Sequence, residues 1–234
     1  ANVTVALADS ARVFEAGCLH QAAVVALSAV AGDASADGRD RMEAIRVLRR
    51  SLGEDFREVV TNSALSALRD IVTADAALGA LTVAELAQES RSSDHFGRID
   101  AVRLLGLLGM DPRLLVATRL QVVDVLREAS GQDAASCVRC LATEALGVML
   151  LACDNSDIID RIRFHLDKTR LGEDSEKVRG IARKVLLLHS DPSGHARDVA
   201  TLRQFWAAQV NATAKTDERP ASLPLDDMSA GEWY

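Results

Sequence analysis

A spaced pattern, R-x-x-A-x-x-x-L, occurs four times in the 234 residues: Arg41, Ala44, Leu48; Arg98, Ala101, Leu105; Arg139, Ala142, Leu146; and Arg179, Ala182, Leu186. On a helix, the positions three and seven residues after each Arg share one stripe with it. Each copy then offers a small residue for close helix approach and a large one for a core. The intervals from Arg98 to Arg139 and from Arg139 to Arg179 are 41 and 40 residues, the period of stacked helix pairs. The first interval, from Arg41 to Arg98, is 57 residues, about one helix longer. A chain carrying this spacing is constrained to an all-α fold of amphipathic helices laid side by side.

An acidic residue stands four to six positions before each Arg, as Asp37, Asp94, Asp133 and Asp174. There a carboxylate can cap the new helix and meet the positive end of its dipole. The stretch Val138-Arg139-x-x-Ala142-x-x-Ala145-Leu146-Gly147 resembles the second half of a HEAT repeat, and Val178-Arg179-x-x-Ala182 is similar to a weaker copy. The oversized first interval resembles a three-helix armadillo-type unit. The resemblance covers roughly residues 18 to 205. It implies a right-handed α-solenoid of about five helix pairs over residues 1–210; over 211–234 the composition shifts to Thr, Lys, Asp, Pro and Ser, which reads as a flexible tail. It also implies a ladder in which Asp37, Asp94, Asp133 and Asp174 engage Arg41, Arg98, Arg139 and Arg179 of successive units.

Composition agrees with helices packed closely. Hydrophobic residues make up 48% of the chain but aromatics only 3%, so the core has to be built from Ala, Leu and Val. The four prolines leave room for long helices, two of them standing beyond residue 219. A net charge of −7 argues against non-specific binding of nucleic acid or anionic membranes through the whole surface, which needs a basic face. No apolar run reaches the length of a membrane span, and the first residues lack a basic stretch followed by an apolar one. The cysteines, Cys18, Cys137, Cys140 and Cys153, follow no disulfide framework, which predicts a reducing, cytoplasmic setting.

Taken in order, the hydrophobic period predicts a first segment over 2–16 closed by Gly17, then helices over 18–31, 39–52, 55–72, 75–88 and 95–109. Pro112 is expected in the first turn of a helix running to Ala129. Ser130-Gly-Gln-Asp133 reads as a turn before the strongest repeat unit. Helices over 157–168, 175–189 and 195–210 follow, the last carrying Leu202, Phe205 and Trp206.

No catalytic constellation emerges: there is no phosphate-binding loop, dinucleotide fingerprint or nucleophile elbow, and the chain reads as not an enzyme. Cys137-Val-Arg-Cys140 has the spacing of metal and redox motifs, but a second ligand pair is missing, and on a continuous helix both sulfurs are expected to face the packed side. The five histidines, scattered one per segment, read as surface or helix-end residues. No metal and no cofactor are expected. Two arginine-rich helices, one with Arg39, Arg41, Arg46, Arg49 and Arg50, the other with Arg161, Arg163, His165, Lys168 and Arg170, read first as solvated faces. Arg46, Arg103 and Lys184 share one repeat position, which Glu144 interrupts.

The leading expectation is a noncatalytic scaffold or assembly subunit that binds another protein along the helix stack. Arg46, Arg50, Arg103 and Lys184 are its candidate contacts, with the terminal Trp233 and Tyr234, set among acids, as a docking peptide. A second reading is an enzyme-accessory or lyase-like helical-repeat protein acting on a bound pigment or peptide. A third, weaker one is nucleic-acid contact through the arginine-rich helices.

Overall fold

The computed structural model describes residues 17–33, 35–50, 67–68, 70–72 and 75–211. Among the described residues the regular structure is helical throughout, with no strand. The helices are α1 (Gly17–Gly32), α2 (Gly38–Arg50), α3 (Ala76–Glu89), α4 (His95–Met110), α5 (Val116–Gln132), α6 (Ser136–Ala152), α7 (Ser156–Gly172), α8 (Glu176–Ser190) and α9 (Ala196–Asn211). Residues 67–68 and 70–72, inside the predicted 55–72 helix, are helical. The predicted 2–16 segment and the tail beyond Asn211, with Trp233 and Tyr234, lie outside the described residues. None of the described helices is long and apolar enough to cross a membrane.

Acidic side chains open helices both at Asp94, one of the four acids expected to cap, and at Asp75, which is not among them. Asp75 accepts from the N–H groups of Ala77 and Leu78 at 2.9 and 3.2 Å, opening α3. Asp94 accepts from Phe96 and Gly97 at 3.2 and 2.7 Å, opening α4. Each satisfies donors that a helix start leaves without partners. Two local expectations differ from the structure. Pro112 sits in a turn, and α5 starts only at Val116. The reason is Asp111, whose carboxylate accepts from the backbone N–H of Arg113 at 2.9 Å, favouring a side-chain-bonded turn over immediate helix. Ser130 and Gly131, read as turn, complete the last turns of α5.

The helices from α3 to α8 pack in two rows. In one, α3 meets α5 and α5 meets α7; in the other, α4 meets α6 and α6 meets α8. Within each consecutive pair the helices also touch, and α1 and α2 join the assembly through α2 against α3. The helix at the centre is α6, on which every residue from Cys140 to Leu150 is buried. Its sequence is nearly apolar all round, the pattern of a helix enclosed on several sides.

Small residues set the spacing between rows. A Cβ on Gly106 of α4 would stand 2.8 Å from the Ala145 Cβ of α6 and 2.6 Å from Cζ3 of Trp206, and one on Gly147 of α6 would collide with Val185 of α8. Close approach of stacked helices at these two glycines substitutes for the aromatic filling that the composition lacks. Trp206 is fully buried, with Leu202 and Val199 beside it on the inner face of α9.

Candidate functional site

The four repeated arginines meet carboxylates and backbone carbonyls, and the geometry recurs. Arg98 Nε donates to Asp133 at 2.8 Å, and its Nη1 donates to the carbonyls of Ser92 and Ser93 at 3.1 and 3.3 Å. Arg139 Nε donates to Glu173 at 2.9 Å, with Nη1 on the carbonyls of Asp133 and Ala134 at 2.7 and 3.3 Å. Arg41 bonds Asp75 at 3.1 Å and the Ala31 carbonyl at 3.0 Å. Arg179 bonds the carbonyls of Glu173 and Asp174 and the carboxylate of Glu176. One guanidinium therefore does two tasks. It satisfies carbonyls at the end of the preceding helix or in the turn just after it, and in the first three copies it reaches an acid beside the start of a helix further along the chain.

The acids differ in part from the expected set. Asp133 is the partner of Arg98, but Asp75 takes the place beside Arg41, and Glu173, not its neighbour Asp174, meets Arg139. Asp37 accepts instead from the backbone N–H of Arg39 at 2.8 Å, while Asp94 is spent on its own helix start. A search for acids four to six residues before an Arg finds caps; the ion-pair partner stands 34 or 35 residues after it. That spacing was present in the sequence, in Asp75, Asp133 and Glu173, but only the stacking of helices gives it meaning. The Asp75 carboxyl is held below its ordinary value chiefly by the Leu78 N–H, with Arg41 adding to the effect.

Two of the expected partner contacts, Arg46 and Arg103, pair with acids of the chain itself. Arg46 pairs with Glu85 at 3.1 Å and with Glu43 at 3.5 Å, and Arg103 pairs with Asp100 at 2.8 Å. Lys184 of α8 is held below the usual lysine value by burial, with the Asp198 carboxylate of α9 opposing the shift. Arg50 closes α2. On α7, Arg161 pairs with Asp124 at 3.2 Å and Arg170 with Asp167 at 2.7 Å, so much of that helix's basic character is neutralised locally.

The last helix lies over the second row. It contacts α6 and α4, and the Trp206 ring lies against Gly106 and Ala145. Sequence periodicity placed Trp206 on a helix but gave no sign that it reaches back about a hundred residues to Gly106.

Two polar pairings went unseen in the sequence. His165, read as a surface residue, is largely enclosed: its Nε2 lies 2.6 Å from the Ser130 hydroxyl, tying α7 to α5, and the Thr169 hydroxyl stands 3.4 Å away. Burial, reinforced by the Arg127 and Lys168 charges, pushes its pKa down to about 4. The cysteine motif also departs from expectation. Cys140 is buried but Cys137 is exposed, and the Cys137 sulfur stands 3.5 Å from Nε2 of His95 on α4. At the start of the helix one turn of the motif still projects beyond its neighbours, which leaves the Cys137 sulfur exposed while Cys140 is enclosed.

Among the described residues no group of three or more His, Cys, Asp and Glu side chains is placed to hold a metal ion. A cleft of about 320 Å³ opens beside the α3–α4 turn and the end of α5, lined by Arg91, Arg98, Glu128 and Asp133 among others. Its charges pair with one another, Arg91 with Glu128 and Arg98 with Asp133. No protein-family model matches the chain, and no curated protein matches it.

Proposed function

We propose that the chain is a noncatalytic protein-binding scaffold, built as a right-handed α-solenoid of about five HEAT- or armadillo-like helix pairs. On this reading it holds a partner protein along the side where α4, α6 and α8 lie next to one another. The observation that carries the reading is the seat of α9. An amphipathic helix inserts Val199, Leu202 and Trp206 on that side, which is the manner in which a helix-in-groove partner is held. The recurring guanidinium contacts at Arg41, Arg98 and Arg139 support the solenoid, because they join one helix start to the next through similar bonds. The pairing of Arg46, Arg103, Arg161 and Arg170 with the chain's own acids weighs against the nucleic-acid reading, as counterion release needs unpaired cations. The cleft's mutually paired charges give no converging acid and base, which weighs against the accessory-enzyme reading. Arg46, Arg50, Arg103 and Lys184 rim the partner in this reading, Trp233 and Tyr234 supply a second contact, and the cytoplasm is the compartment.

The test is affinity capture with mass spectrometry on four full-fold chains: wild type, Arg46→Glu, Arg103→Glu and a chain ending at Asn211. A partner recovered in stoichiometric amount with wild type and lost with Arg103→Glu supports the binding side. Recovery unchanged in all three altered chains overturns it.

A further inference from the structure

The first two turns of α6 carry two thiols in different surroundings, with an imidazole at the outer one. Cys137 is exposed and stands 3.5 Å from His95 Nε2. Cys140 follows one turn later and is 2% exposed. Three residues apart on a helix, their Cα atoms are about 5 Å apart, within the range that a disulfide spans. At this helix start the Asp133 carboxylate accepts from the Ala135 N–H at 2.8 Å and is paired with Arg98. The imidazole gives the Cys137 proton a place to go. The Phe96 ring, exposed and tilted against His95 with centroids 5.6 Å apart, forms an apolar ledge on one side of the pair.

We propose that Cys137 and Cys140 form a redox-active dithiol that reduces low-molecular-weight disulfides, with Cys137 as the attacking thiol, His95 as its base and Cys140 as the resolving thiol. This inference is independent of the scaffold reading. In the first step the Cys137 proton passes to His95 and the thiolate attacks one sulfur of the disulfide. Its S–S bond breaks, a mixed disulfide forms on Cys137, and the departing thiolate takes the proton from His95. In the second step Cys140 loses its proton through the same imidazole and attacks the Cys137 sulfur. The second thiolate leaves and takes that proton. Two protein thiols are oxidised to one disulfide and one small disulfide is reduced to two thiols, so atoms and electrons balance. Burial raises the Cys140 thiol to about 11, with the Glu144 and Cys137 charges adding and Lys177 and Arg139 opposing, so it stays protonated until the outer sulfur is activated. The second step is therefore the slower one.

Arg139 lies between the two cysteines, so trypsin separates them and a bond between them joins two peptides. The experiment incubates the folded full chain with glutathione disulfide, blocks remaining thiols by alkylation and maps tryptic peptides by mass spectrometry. Wild type is expected to pass through glutathionylated Cys137 to a Cys137–Cys140 link. Cys140→Ser should stop at glutathionylated Cys137, and Cys137→Ser should leave Cys140 unmodified. His95→Asn should slow the first step about tenfold in the folded chain and not in urea, where the imidazole is no longer positioned. A lasting glutathione adduct on wild-type Cys137 without the link, or no modification of Cys137 beyond that of the chain in urea, overturns the proposal. The wild-type map decides the matter even if a variant fails to fold.

Discussion

At the scale of single residues, the arginines of the repeat carry more than charge. Arg98 is mostly enclosed, and its partner Asp133 is 6% exposed at the side chain. Replacing Arg98 by Leu removes the pairing of a nearly buried carboxylate and the donors to Ser92 and Ser93 together. Loss of one partner from such a group costs about 3–5 kcal/mol, far more than an exposed pair contributes. Arg98→Leu should lower the unfolding free energy by that much, whereas Arg161→Leu, whose pair with Asp124 is about half exposed on both sides, should change stability by less than about 1 kcal/mol. Urea titration of both variants checks the contrast. His165 sets a pH dependence of definite sign. Its pKa falls from 6.5 to about 4 on folding, so the unfolded chain binds the proton first. The stability is complete above pH 6.5 and is lost as the pH falls toward 4, by about 1–3 kcal/mol after allowing for partial solvent access. His165→Gln should flatten the slope of stability between pH 6.5 and 5 in thermal melts. Burial and the Arg163 charge move His189 in the same direction, so a residual slope is expected.

At the scale of helices, α6 and α8 meet where Gly147 has no side chain. Gly147→Ala drives a methyl group into Val185, and overpacking of this kind costs about 1–3 kcal/mol, offset by about 1 kcal/mol of helix propensity. Val185→Ala opens the space again. The double variant should therefore be more stable than the sum of the single changes predicts, a coupling that a double-mutant cycle by calorimetry measures. Helix positions were legible in the sequence because the apolar period is 3.6, and the expected spans for α4 and α8 fall within a residue or two of those observed. What stayed illegible was every contact whose meaning depends on a second element. Nothing in the sequence marks Asp75 and Glu173 as partners of Arg41 and Arg139 until helices stack. Pro112 read as a helix start because proline suits that place, while the competing side-chain turn of Asp111 depends on its own carboxylate reaching Arg113. Cys137 read as packed because a continuous helix was expected to turn both sulfurs inward, whereas it stands in the first turn of α6, exposed.

At the scale of the whole molecule, burial is distributed unevenly around one helix. α6 touches α4, α5, α7, α8 and α9, while α9 rests on α6 and α4 through a single inner face. An element held by one face opens more readily than one enclosed on all sides, since fewer apolar contacts are lost at each opening. Among the described residues Trp206 is the largest fully buried side chain, and its removal leaves a cavity whose cost is about 3–5 kcal/mol. If α9 behaves as a separate strap, that cost cannot exceed the free energy that holds the strap down. Trp206→Ala should then raise hydrogen exchange across residues 196–211 at least a hundredfold, while the amides from Cys140 to Leu150 keep wild-type protection. If α9 is one cooperative unit with the rest, the same substitution should speed exchange in both segments by the same factor, because both would open only through global unfolding. Exchange followed by mass spectrometry on the intact wild-type and altered chains separates the two cases. The first outcome makes the α4–α6 side a surface that another helix can occupy when α9 lifts; the second makes that side permanently interior, and the scaffold would have to bind through its other faces.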